Sequence, residues 1–199
     1  MKHQFAASLI WGVFVFLAAP ASSQEVQDIS YSLPDGTRVM QHQIVVPASV
    51  EEVWAALTTT EGIRSWAAPV TRVDFRVGGV WESSYRLDRK IGDPGNIKNR
   101  YLSFLPLRMV SIQAFEAPPS FPHPELLPEL FHVIELEKLG PQKVRVTISG
   151  VGYKSGGGYD AIYAHFAAGN PWSLRKLHQR FAQGPIDWAK ELAQKTGAR

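Results

Sequence analysis

The chain has 199 residues, 45% of them hydrophobic and 20% charged, with a formal charge of +3 and a pI near 9.2. That balance describes a globular protein rather than a disordered or fibrous one. The absence of cysteine excludes thiol catalysis, thiolate metal sites and disulfides, and with no basic run longer than two residues the positive charge points to no nucleic-acid partner.

Lys2 and His3 open the chain, Phe5 to Ala19 is almost wholly apolar, and Pro20, Ala21, Ser22 and Ser23 follow. A polar start, an apolar middle and small residues at the exit predict a secretory signal over 1–23, cut after Ala21 or Ser23. The apolar stretch falls short of the ~20 residues a spanning helix needs. The expected location is therefore periplasmic or secreted, with membrane contact only transient. An N-terminal extension over 24–36 would then precede one domain over 37–199.

Glu25 to Ser30 is polar and reads as loose, and Pro34, Asp35 and Gly36 signal a turn. Arg38 to Val46 alternates as a half-buried strand. Ser49 and Glu52 then form a capping box, a hydroxyl for the orphan amides and a carboxylate reaching back, opening a helix to about Thr58. A second short helical turn ends at Trp66. Val73, Phe75 and Val77, the glycines at 78 and 79, and Trp81, Ser83 and Tyr85 make a hairpin pattern. Two further strands are expected over 97–104 and 109–115.

The stretch 116–130 carries prolines at 118, 119, 122, 124 and 128, which forbid a sheet ladder, yet also Phe121, Leu126, Leu127 and Leu130. It reads as an apolar loop that is packed or functional. A last hairpin spans 131–151, and the glycines at 156–158 lead into a helical end. There Tyr159, Ile162, Tyr163, Phe166, Leu174, Leu177 and Phe181 follow helical spacing. Asn170 with Pro171, and Gly184 with Pro185, predict two restarts and hence three helical pieces.

Chemistry-bearing motifs are sparse. No phosphate loop, zinc-protease helix or nucleophile elbow is present. The histidines at 3, 42, 123, 132, 165 and 178 lack ligand spacing, so no metal, cofactor or catalytic residue is expected. His165 and His178 read as solvent-facing or capped. The aromatics are the better lead. Trp66, Trp81, Tyr85, Tyr101, Phe115, Tyr163 and Phe166, with His132 as a polar handle, are the expected lining of an apolar pocket.

The run VVPASVEEVWAAL from Val45 to Leu57, then Trp66, then VDFRVGGVW from Val73 to Trp81, resembles the START/SRPBCC superfamily. It is most similar to the branch of activators of heat-shock-protein ATPase. The resemblance spans about 37–195. It implies an α+β helix-grip fold: two short helices after the first strand, and a curved seven-stranded antiparallel sheet around a long C-terminal helix with a cavity between. Two features depart from the family pattern, the segmented terminal helix and the long proline-rich insert.

The resemblance implies a small apolar or amphipathic ligand in that cavity, and the export signal argues against a cytosolic chaperone as partner. Two alternatives stay open: a cyclase- or hydrolase-type enzyme using a Tyr, His or Glu of the same cavity as general acid or base, and a ligand-free interaction domain.

Overall fold

A computed structural model describes residues 25–197, with side chains to Ala193. The expected signal segment lies outside the described residues. The elements run β1 (Gln27–Asp28), β2 (Tyr31–Ser32), β3 (Arg38–Val46), α1 (Val50–Thr58), α2 (Thr60–Arg64), β4 (Val70–Val73), β5 (Val80–Ser84), β6 (Ile97–Leu105), β7 (Met109–Glu116), a 3-10 helix (Pro124–Glu129), β8 (Phe131–Gly140), β9 (Lys143–Tyr153), α3 (Gly158–Gln183) and α4 (Trp188–Gly197).

The strands form one antiparallel sheet in the order β1-β3-β9-β8-β7-β6-β5-β4, with β2 also paired to β3. The expected seven strands are β3 to β9, and two short ones extend the edge. Residues 25–30, expected to be loose, are held there instead. Gln27 and Asp28 pair with Gln43 and His42, and the Ser30 hydroxyl accepts the Gln41 N–H at 2.9 Å. Two-residue strands carry no periodicity, and only the neighbouring edge orders them.

On β3, Met40, His42, Ile44 and Val46 turn inward and are buried. The capping box of α1 forms as expected: Ser49 Oγ accepts the Glu52 N–H at 3.3 Å, and Glu52 Oε2 accepts the Ser49 N–H at 2.8 Å. Thr59 caps α2, its hydroxyl accepting the Gly62 N–H at 2.9 Å. Beyond α2, the Trp66 indole N–H donates to the Ala56 carbonyl at 2.9 Å, which fixes that ring against α1.

The terminal helix departs from expectation at one of its two breaks. α3 runs 26 residues without interruption, with Pro171 inside it. Asn170 is no cap; its side chain is buried and its amide lies 3.5 Å from Met40 Sδ. An interior proline removes one backbone bond and costs about 3 kcal/mol in isolation. Ile162, Leu174 and Leu177, on both sides of Pro171 and 0–1% exposed, hold the helix against that cost. The break at Gly184 is real. Its φ of +98° ends α3, the Ile186 N–H donates to the Ser65 carbonyl at 2.9 Å, and α4 follows. Two helical pieces therefore replace three.

Buried side chains gather in two clusters. The larger joins α1, α2, the C-terminal half of α3 and α4 to the middle of the sheet, around Trp66, Tyr101, Leu174, Leu177 and Trp188. The smaller holds Met40, Leu127, Leu130, Tyr153 and Ile162, with Phe121, Tyr163 and Phe166 packed on it. The proline-rich stretch is thus anchored core, through Leu127 and Leu130 at 2% exposure. Gly152 permits the approach: its φ is +102°, and a Cβ there would stand 2.2 Å from the Glu129 carbonyl oxygen.

Candidate functional site

Where the two clusters meet, the sheet and α3 leave a cavity of about 340 Å³, within the range of small-molecule sites. Its sheet wall follows from strand alternation, which turns every second residue inward. Trp81 and Ser83 come from β5, Ile97 and Asn99 from β6, Ile112 and Ala114 from β7, His132 and Ile134 from β8, and Ile148 from β9.

The helix wall is one face of α3, with His165, Phe166, Gly169, Asn170 and Ser173 at helical spacing. Gly169 contributes space, since a Cβ there would meet nothing within 4 Å. Trp66 lines the cavity too, its N–H already engaged. Pro118, Ser120 and Phe121 of the proline-rich loop complete the lining. Phe121 is set by edge contacts to His165 at 4.6 Å and Phe166 at 5.7 Å.

Five of the eight expected lining residues are brought together here: Trp66, Trp81, Tyr85, His132 and Phe166. Tyr85, 42% exposed, meets Trp172 edge-on at 5.8 Å. The other three stand elsewhere. Tyr101 shares the inward face of β6 with Asn99 but lies two residues further along the strand, 1% exposed in the larger cluster with its ring 5.0 Å from that of Phe75. Phe115 follows the inward Ala114 and so faces out, under the Arg100 guanidinium at 5.0 Å. Tyr163 packs on Tyr153 at 5.1 Å beneath Arg38 at 4.5 Å.

Sequence reasoning missed the polar lining, Ser83, Asn99, Asn170 and Ser173. Ser83 was legible as the residue two after Trp81. Asn170 was masked by its resemblance to a cap. His165, expected to face solvent or a cap, is exposed at the rim and meets Phe121 edge-on.

His132 is the polar centre of the sheet wall. It is 8% exposed, its ring lies 4.6 Å from that of Phe166, and its Nε2 has no hydrogen-bond partner. Burial pushes its pKa down to about 4, so the imidazole is neutral at pH 7. A Cβ on Gly150 would lie 3.2 Å from His132 Nε2 and 3.1 Å from the Tyr153 hydroxyl. Glycine at 150 therefore lets both rings close over β9. The Trp81 indole N–H is likewise buried without a partner.

A larger open trough of about 960 Å³ crosses the outer face of the sheet. Arg145 pairs with Glu137 in it, and Gln43 there bonds to Gln27 on β1. Among the described residues, no group of three His, Asp or Glu side chains is arranged to hold a metal, and no helix is long and apolar enough to cross a membrane.

Residues 47–182 match the family described as Activator of Hsp90 ATPase homolog 1-like protein. Among solved structures, the Aha1 dimer from Colwellia psychrerythraea is 20% identical with a TM-score of 0.58, covering 73% of this chain and 97% of that one. CalU16 from Micromonospora echinospora is 19% identical with a TM-score of 0.55, covering 87% and 93%. A conserved protein of unknown function from Enterococcus faecalis is 15% identical with a TM-score of 0.56, covering 87% and 92%. At these identities the structural likeness speaks for the fold alone. No curated protein is similar enough in sequence to match. The family match spans well over half of the chain: it belongs to the Activator of Hsp90 ATPase homolog 1-like family, within the SRPBCC superfamily.

Proposed function

We propose that this is an exported binding protein that holds a small apolar or amphipathic molecule between its sheet and α3. The observation that carries the reading is the cavity itself. A volume of about 340 Å³ is bounded chiefly by Trp66, Trp81, Ile112, Ile134, Ile148 and Phe166, with a few uncharged polar groups among them. Apolar walls supply affinity through burial, and sparse polar groups supply orientation. Export rests on the pattern of residues 1–23.

Native mass spectrometry of gently purified protein tests the binding. A stoichiometric small-molecule adduct is expected, and it should disappear after extraction with organic solvent. A protein that neither carries an adduct nor takes up any apolar probe at micromolar concentration would sink the reading. N-terminal sequencing of the protein from its native host tests export, with mature chains beginning at Ser22 or Gln24.

An enzymatic reading draws on one observation, the neutral imidazole of His132 on the cavity wall, its Nε2 buried without a hydrogen-bond partner. Such a group can accept a proton from a bound molecule as general base. Conversion of the co-purifying compound by the wild type, and its loss in His132→Gln, would select this reading over simple binding.

A further inference from the structure

We infer that the cavity selects an uncharged molecule bearing a hydrogen-bonding group, an alcohol, ketone or amide on an apolar frame, over an ion of the same size. The inference rests on the binding reading above and narrows it to a ligand class.

The lining carries the argument. Among the described residues, no Asp, Glu, Lys or Arg side chain lines the cavity. Its polar members are Ser83, Asn99, Ser120, Asn170 and Ser173, beside the two histidines. Hydroxyls and amides both donate and accept, and none brings a net charge.

Charged groups that adjoin the lining are engaged elsewhere: Glu82, beside Ser83, accepts the Gly92 N–H at 2.6 Å and the Asn96 amide at 2.7 Å, and Arg86, beside Tyr85, is 2.6 Å from Asp88. Lys98, beside Asn99 but on the alternate face of β6, is 2.8 Å from Glu116. Arg100 covers Phe115 outside the sheet. Lys176, three residues after Ser173, is tied to Glu191 at 2.7 Å. The wall on α3 comes from mid-helix residues, so neither end of the helix dipole faces the cavity.

The titratable lining groups do not alter this. His132 is neutral above a pKa of about 4. Desolvation holds His165 below the ordinary imidazole value, and the Tyr85 hydroxyl is a phenol at neutral pH. A carboxylate or ammonium entering such a site surrenders hydration and gains no counter-charge. A neutral polar group instead meets uncharged hydroxyls and amides that both donate and accept, from Ser83, Asn99 and Ser173. The Asn170 amide on the same wall as Ser173 has the Met40 sulfur, a weak acceptor, at 3.5 Å.

Calorimetric titration at pH 7.5 with three bicyclic probes tests the inference: 2-naphthol, 2-naphthoate and 2-naphthylmethylammonium. The neutral probe is expected to bind at least about ten-fold more tightly than either ion. Equal or tighter binding of an ion overturns the inference while leaving the binding reading intact. If no probe binds, the compound found by native mass spectrometry decides. A neutral one upholds the inference, an ionic one overturns it, and finding none removes both readings. Ser173→Lys, at the half-buried helix wall, is expected to bring 2-naphthoate to within about three-fold of 2-naphthol. A folded variant with unchanged discrimination would overturn charge as the basis of selection.

Discussion

Lys176 Nζ lies 2.7 Å from Glu191 Oε1, with the two side chains 12% and 18% exposed. This mostly buried pair ties α3 to α4 across the Gly184 break. The Trp188 indole N–H adds a bond of 2.6 Å to the Arg64 carbonyl, so α4 is clamped to α2 as well. The breakpoint is therefore a corner held on both sides.

Removing one partner of such a pair leaves an unpaired charge with little solvent, which costs more than the pair contributed. Lys176→Met is expected to destabilise the protein by about 2–4 kcal/mol in urea unfolding. Adding Glu191→Leu should restore most of that loss, giving a large coupling energy in the double-mutant cycle. Additive losses would show that the two side chains do not interact in solution.

Gly152 holds the proline-rich stretch to β9 at positive φ, within 2.2 Å (to a built Cβ) of the Glu129 carbonyl. Gly152→Ala combines backbone strain with a collision against main chain, and a loss of about 2–4 kcal/mol is expected. Gly169→Ala is the control. Its Cβ meets nothing within 4 Å, so it should leave stability unchanged or raised by up to about 1 kcal/mol, as helix propensity favours alanine. It should also narrow the cavity and weaken the bulkiest probes first.

The frame of the fold was legible because alternation and capping are local. The Ser49–Glu52 box stands where the residues say it should, whereas the hairpin expected around Gly78 and Gly79 opens into a loop, because β4 ends at Val73 and leaves Phe75 and Val77 outside the strand. Pro171 was not legible, because the side chains that keep α3 continuous find their partners on distant strands. The cavity was half legible for the same reason. Trp81 and His132 follow from strand alternation, whereas Phe115 stands on the outward parity of β7, and Tyr101, though inward, lies far enough along β6 to join the larger cluster instead of the cavity. Size misleads at Phe181, which closes the helical stripe in sequence but is only partly buried. Leu177, at 1% exposure, carries more.

That contrast can be measured. Leu177→Ala is expected to cost about 3–5 kcal/mol, as a fully buried leucine does. Phe181→Ala should cost about 1.5–2.5 kcal/mol, since its ring keeps part of its surface in solvent under the Arg180 guanidinium at 5.2 Å. Guanidinium chloride midpoints at constant m-value would rank the two. The reverse order would mean that the C-terminal end of α3 is packed more deeply than its exposure indicates.

His132 gives the pH dependence of stability. Its ordinary pKa of 6.5 falls to about 4 in the folded protein because burial disfavours the imidazolium. Between those values the unfolded chain binds the proton and the folded one does not, so stability rises with pH across the window. The contribution is complete above about pH 6.5, erodes as pH falls toward 4, and changes no further below. The span is on the order of 3 kcal/mol. His42, His165 and His178 shift in the same direction through desolvation and steepen the same limb. His132→Gln removes the titration while keeping an uncharged polar side chain on β8. Urea midpoints at pH 7 and 4.5 should therefore lie closer together in this variant than in the wild type. An equal separation in both proteins would show that His132 is hydrated or partnered in solution, and would also restore it as a chargeable group inside the cavity.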